Sequence, residues 1–360
     1  MKFKAKSTIE SHQPVVHGGI LSKRISGSGV LDFSSNLTPA GMPSAVKKSI
    51  KKNLQTIENY PDMHSSKLLK LLETFTNLSQ SNLVVGNGAI EIIYNFCNAF
   101  VSKNMPVLIP MPTFSEYEVA CRLNTDKIIF FKTMDLLEDI TSFISKIPKD
   151  GCIFICNPNN PTGKLLPKKN LIQIIDKAKK QNCIVFVDEC FIELVPKSNE
   201  SVMSNVKKFD NLVVLRSFTK SFGLAGIRIG YAVSSKYIIS ILKKIKIPWS
   251  VNSIAELAAI SAIQSTSHLT KSKSIIKKEY DFLKKRIEKI NGFELIESST
   301  NFILIKTNQD STKLQKKLLE KQILVRDCKN FRGLDNHFIR IAIKSHKDNL
   351  VLVKALETIK

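Results

Sequence analysis

The sequence is poor in the residue types that build metal sites and disulfide frameworks. Its 360 residues include one Trp, six His and seven Cys (97, 121, 152, 156, 183, 190, 328), with no CxxC spacing and no His beside the thiols. An odd Cys count embedded in apolar runs reads as reduced, buried thiols, so neither disulfides nor a metal are expected. No apolar run approaches the roughly 18 residues of a spanning helix, and the charged start lacks an apolar signal core. The expectation is a cytoplasmic protein with no membrane partner. Arg is scarce as well: only eight of the 54 basic residues, at 24, 122, 216, 228, 286, 326, 332 and 340. Acidic residues number 31, leaving a formal net charge of +23. The surplus is Lys scattered in doublets, with no dense basic tract interleaved with aromatics of the kind single-strand binding favours. It reads as a solvated Lys-rich surface, and no nucleic-acid partner is expected. A non-catalytic polyanion-binding protein is the alternative of another class; its affinity would fall steeply with salt.

What is present is ordinary globular material, 43% hydrophobic with a mean hydropathy of −0.03, long enough for one or two domains. Short β-branched runs at 83–85, 106–109, 128–131, 152–156, 184–187 and 212–215 alternate with helical patterns near 89–102, 115–123, 135–146 and 167–180. That alternation predicts an α/β domain with a mostly parallel sheet of six or seven strands, covered by helices on both faces. From about 235 the pattern changes to three consecutive helices (235–246, 251–267, 270–290). A smaller α+β unit follows, with strands at 301–306, 323–326 and 338–343 and helices at 312–321 and 347–359. The reading is an N-terminal arm (1–40) carrying a strand at 30–34, a large domain (41–250) and a small C-terminal domain (251–360).

Four segments carry chemistry. The sixteen residues 216–231 follow an apolar strand with Ser217, Thr219 and Lys220, then Gly223, Gly226, Arg228 and Gly230. Two hydroxyls, an amine and a guanidinium at one point suit a phosphate and a reactive Lys. Burial and the nearby Arg228 would lower the Lys220 pKa toward that of a Schiff-base nucleophile. Asn160, in the Pro-rich stretch after strand 152–156, presents an amide where α/β sheets place ligands. Asp188 directly follows a buried run and requires a cationic partner, which a protonated ring nitrogen would supply. Gly86 and Gly88 lie between a strand and a helix, where amides form an anion site.

Together these segments resemble the fold-type I, aspartate-aminotransferase-like family of pyridoxal 5′-phosphate (PLP) enzymes, over essentially the whole chain. The resemblance implies that fold, with a large seven-stranded sheet domain and a smaller C-terminal domain. It implies PLP as cofactor, with Lys220 its covalent anchor, Asp188 paired to the ring nitrogen and Asn160 at the ring hydroxyl. Ser217, Thr219, Arg228, Gly88 and Ala89 match the phosphate cup, and Phe114 the aromatic that stacks on the ring. Tyr60 resembles the Tyr that reaches the cofactor phosphate of a neighbouring subunit, implying a homodimer.

Within the family, several segments resemble the threonine-phosphate decarboxylases of cobalamin synthesis. They are His17-Gly-Gly19, the stretch from Asp32 through Asn36 to Pro43, Phe191 in place of a Tyr donor, 248–252 and 323–335. The resemblance implies a small phosphorylated amino acid as substrate, with Arg340 on its carboxylate, Arg326 on its phosphate, and His17 and Asn36 as further contacts. The run 221–226 is closer to the histidinol-phosphate aminotransferase branch, so transamination of histidinol phosphate is the runner-up.

Overall fold

The computed structural model describes residues 3, 7–10, 14–15, 29–196 and 199–359. A short strand β1 (Leu31–Asp32) opens the main body and leads into helices α1 (Ser44–Lys52) and α2 (Ser66–Thr76). Strands β2 (Leu83–Gly86), β3 (Val107–Met111), β4 (Ile128–Lys132), β5 (Cys152–Cys156), β6 (Ile184–Asp188), β7 (Leu212–Ser217) and β8 (Gly230–Ser234) then form one sheet, ordered β2-β8-β7-β6-β5-β3-β4. Helices α3 (Gly88–Phe100), α4 (Glu116–Arg122), α5 (Ile140–Ser145) and α6 (Lys168–Lys180), with the single turn α7 (Phe218–Ser221), connect these strands.

All pairings are parallel except those of β8, which runs antiparallel to both β2 and β7. Alternate residues of each strand feed opposite cores. Val84, Val107, Phe154, Phe186 and Val213 pack on one face, while Leu83, Leu108, Ile153, Val185 and Val214 pack on the other. A sheet apolar on both sides must be covered twice, which is why its strands read as continuous apolar runs.

Helices α8 (Lys236–Ile245), α9 (Ser253–Gln264) and α10 (Thr266–Ile287) follow. Ala255, Ala258, Ala259 and Ala262 of α9 are buried in the same core as Val185 and Val214. The C-terminal part builds a four-stranded sheet, β12 (Arg326–Asp327)-β13 (Phe338–Ala342)-β10 (Phe302–Thr307)-β9 (Phe293–Leu295), backed by α11 (Ser311–Glu320) and α12 (His346–Thr358). Its strand pairings are antiparallel. The expected single strand 323–326 is two: β11 (Ile323–Leu324) pairs with β1 in parallel, and β12 pairs with β13. The chain changes sheets at Val325, which is fully buried.

The segment 33–38 threads between the two larger sheets. Ala342 N donates to Phe33 O at 2.8 Å, the Asn301 amide donates to Leu37 O at 3.1 Å, and Thr38 N donates to Lys220 O at 3.1 Å. Gly223, at φ +67°, lets the turn after α7 meet Gly41, whose carbonyl carbon lies 3.0 Å from where a Cβ would stand. A side chain there would both clash and strain the backbone.

Candidate active site

Strand β7 ends at Ser217, whose hydroxyl accepts from Thr219 N at 3.1 Å and starts the turn α7. That turn delivers Lys220 into the wall of a cavity of about 310 Å³ between the sheets. The amine lies 5.7 Å from the centroid of Phe191 and has no carboxylate ion pair among the described residues. Burial, with Arg340 and Arg228 nearby, lowers its pKa to about 8, bringing the neutral, nucleophilic amine within reach of physiological pH.

Asp188 closes β6 and faces the same cavity. Tyr117 Oη donates to its Oδ2 at 2.7 Å and Cys190 N donates to its Oδ1 at 2.9 Å. The carboxylate is thus fixed by two neutral donors, an arrangement suited to receive a ring N–H. The next residue, Glu189, takes the opposite route: it pairs with buried Arg216 at 2.8 Å, and Arg216 reaches Glu193 at 3.0 Å. Arg216, one of the rare Arg residues, is therefore a structural tie behind the site.

The anion cradle lies where α3 begins. Arg228 sits at φ +63° and donates to Ala225 O at 3.0 Å and to Thr219 Oγ1 at 3.5 Å. Gly88, at φ +78°, leaves room for it: a Cβ there would stand 2.4 Å from the Arg228 guanidinium. A helix N-terminus, two hydroxyls and a guanidinium are the groups that suit a phosphate.

On the opposite side, Arg340 of β13 donates to Asn160 Oδ1 and, at 3.0 Å, to Ser34 O. Its guanidinium carbon lies over Phe302, 5.4 Å from the centroid, and its Nε has no hydrogen-bond partner among the described residues. Desolvation pushes its pKa down to about 10, so it remains a cation at neutral pH. Arg326 is the direct cross-strand neighbour of Arg340 and stacks at 5.5 Å on Phe331. The turn that offers the Ser34 carbonyl is made by Asp32, which accepts from Ser34 N at 2.7 Å and Ser35 Oγ at 2.8 Å. It also brings in Asn36, whose buried Oδ1 has no hydrogen-bond partner among the described residues.

One cavity thus gathers Lys220, Asp188, Asn160, Ala89, Phe114, Ser217, Thr219, Arg228, Asn36, Arg326 and Arg340. Gly88 stands behind Arg228. Tyr60 is elsewhere: it is 85% exposed, its ring 5.3 Å from that of half-exposed Trp249. His17 lies outside the described residues. Sequence reasoning missed Tyr117, which lies in the first turn of α4 with its ring 5.5 Å from that of Phe114 just ahead of the helix. It also missed Phe331, whose only signal was its place in a motif read for Arg326.

The family model for aminotransferase class I and II matches residues 28–357. The chain belongs to that family. A protein of Caldanaerobacter subterraneus subsp. tengcongensis, assigned as a threonine-phosphate decarboxylase, is 34% identical over 96% of this chain and 94% of its own. The histidinol-phosphate aminotransferase structure from Clostridium acetobutylicum superposes with a TM-score of 0.83 at 33% identity, covering 91% of this chain and 98% of the other. The L-threonine-O-3-phosphate decarboxylase structure from Porphyromonas gingivalis gives 0.82 at 28% identity, covering 91% and 99%. Both the expected fold and the class I and II assignment stand, and the cofactor of this aminotransferase-family enzyme is PLP. The residues fit it: a buried amine of lowered pKa, a carboxylate fixed by neutral donors, and a cradle that a Cβ at Gly88 would fill.

Proposed function

We propose that this PLP enzyme is a carboxy-lyase that converts L-threonine O-3-phosphate to (R)-1-amino-2-propanol phosphate and CO2. The observation that carries the reading is the cross-strand pair Arg326 and Arg340, two guanidinium groups on one cavity beyond the anion cradle at Arg228. A substrate bearing a carboxylate and a phosphate together matches that pair, and bidentate Arg contacts set orientation as well as affinity.

Bound PLP supplies an electron sink for whichever Cα bond stands perpendicular to its ring. Lys220 would provide the covalent attachment to PLP and, when free of it, an ammonium at Nζ that could supply the proton Cα takes up in place of CO2. Asp188, oriented by Tyr117, holds the proton of the ring nitrogen in place. Arg340, pinned by Asn160 and Ser34 O and placed over Phe302, would grip the substrate carboxylate and fix its orientation. Arg326 takes the substrate phosphate, and Asn36 adds a contact from the arm. Phe191 stands beside Lys220 with no hydroxyl to donate.

The arm (1–40), large domain (41–250) and small domain (251–360) belong to this reading, as does a homodimer. Exposed Leu54, Ile57, Tyr60, Ile247 and Trp249 provide an apolar surface for a second copy, and sedimentation at micromolar concentration tests it. Threonine phosphate should release CO2 from the holoenzyme. The second reading, transamination of histidinol phosphate, draws support from residues 221–226 and from the names of many relatives. Formation of glutamate from 2-oxoglutarate with histidinol phosphate, and no CO2 from threonine phosphate, would establish it instead.

A further inference from the structure

The loop joining β12 to β13 carries Phe331, and it meets the segment that carries Phe114 at two points, one a side-chain fork and one a close backbone approach. Arg332 forms a two-pronged contact with Glu118 of α4, Nε to Oε2 and NH2 to Oε1, each 2.8 Å. Its guanidinium also lies 4.4 Å from the centroid of Phe130 in β4. Arg122 donates to the same carboxylate at 2.8 Å. Burial alone would raise the Glu118 carboxyl; the hydrogen bonds from Arg332 and Arg122 more than reverse that. The second point is Gly333, at φ +92°, where a Cβ would stand 3.3 Å from Pro112 N.

Phe331 sits next to Arg332 in the chain, is 6% exposed and lines the cavity beneath Arg326. The second large cavity, of about 910 Å³, begins on its other side, bounded by Phe114, Glu118, Arg332 and Lys329. Phe331 thus lines both spaces, together with Val15, Phe114 and Ser115, and the Arg332–Glu118 fork ties its loop to α4.

We propose that Arg332 and Glu118 are positioning residues that latch Phe331 under Arg326 and so set the affinity for the phosphate end of the substrate. The proposal rests on the assignment of Arg326 to a phosphorylated amine. Neither latch residue touches the reacting atoms; the latch removes freedom from the ring on which the Arg326 guanidinium lies. A two-pronged Arg–carboxylate contact constrains both distance and plane, which a Lys cannot do.

The test uses the holoenzyme and its visible absorption. Arg332→Ala should raise KM for threonine phosphate about fivefold, as for a well-formed, partly exposed ion pair, with kcat within about twofold. Binding of unphosphorylated L-threonine, followed by spectral titration, should be unaltered. Glu118→Gln, which keeps the shape, should act in the same direction. The double variant should lose less than the sum of the two single changes, because both break the same fork. Arg332→Lys should recover only part of the loss. An unchanged KM in Arg332→Ala, or an equal loss for L-threonine, overturns the latch. Failure of the decarboxylase reading shows separately, as absence of CO2 from the wild-type enzyme. The series is then read with histidinol phosphate, where the latch requires the same loss and unchanged binding overturns it.

Discussion

The phenol of Tyr117 donates a 2.7 Å hydrogen bond to Asp188 Oδ2 from a fully buried position. With Cys190 N on the other oxygen, Asp188 is left one orientation. Tyr117→Phe removes one of the two restraints while keeping the ring that stacks 5.2 Å from Phe154. A buried hydrogen bond is worth about 1 kcal/mol net, so PLP affinity should fall about five- to tenfold, measured by absorbance on dilution. Unchanged affinity would show that Asp188 does not depend on the phenol.

In the proposed reading Lys220 captures PLP. Its amine is nucleophilic only when neutral, and its pKa stands at about 8. The rate of covalent capture by the apoprotein should rise with pH up to a midpoint near 8. Below that midpoint it should fall about tenfold per unit, as the protonated fraction requires. A midpoint near that of free Lys would refute the lowered basicity. Lys220→Ala should lose the covalent link and its visible band altogether.

At Arg340, charge and shape separate. Arg340→Lys keeps a cation but cannot address Asn160, Ser34 and a substrate carboxylate at once. Removing a buried charged hydrogen-bonding group costs about 2–5 kcal/mol, so kcat/KM should drop at least about thirtyfold in Arg340→Lys and further in Arg340→Ala. A Lys variant close to wild type would mean that only charge matters.

Arg216 answers to stability rather than to substrate. Arg216→Ala strands Glu189, which is fully buried, and breaking such a pair costs about 3–5 kcal/mol. Urea unfolding should show this, and the double change Arg216→Met with Glu189→Leu should recover much of it. A loss below 1 kcal/mol would indicate that water reaches the orphaned carboxylate.

The parallel strands were legible because a sheet buried on both faces writes itself as uninterrupted apolar runs, as at 152–156 and 184–187. β8 escaped the same reading, since its start at Gly230 falls inside the Gly-rich motif and its antiparallel course leaves no local mark. The helix expected over 135–146 shrinks to Ile140–Ser145, with Asp135 accepting from Leu137 N at 3.0 Å in a turn of its own. At the site, residues tied to chain punctuation were readable: Lys220 after a strand, Asp188 at a strand end, Gly88 at a helix start. Tyr117 and the Arg332–Glu118 fork were not. Their meaning lies in contacts 71 and 214 residues apart, which no spacing rule encodes.

Trp249 is the chain's sole tryptophan, half-exposed against Tyr60. All of the protein's tryptophan emission therefore issues from one spot on its surface. Anything that settles there and expels water should shift that emission to the blue, while ligands elsewhere leave it still. A dilution series read at the emission maximum would therefore follow the proposed homodimer with no label attached.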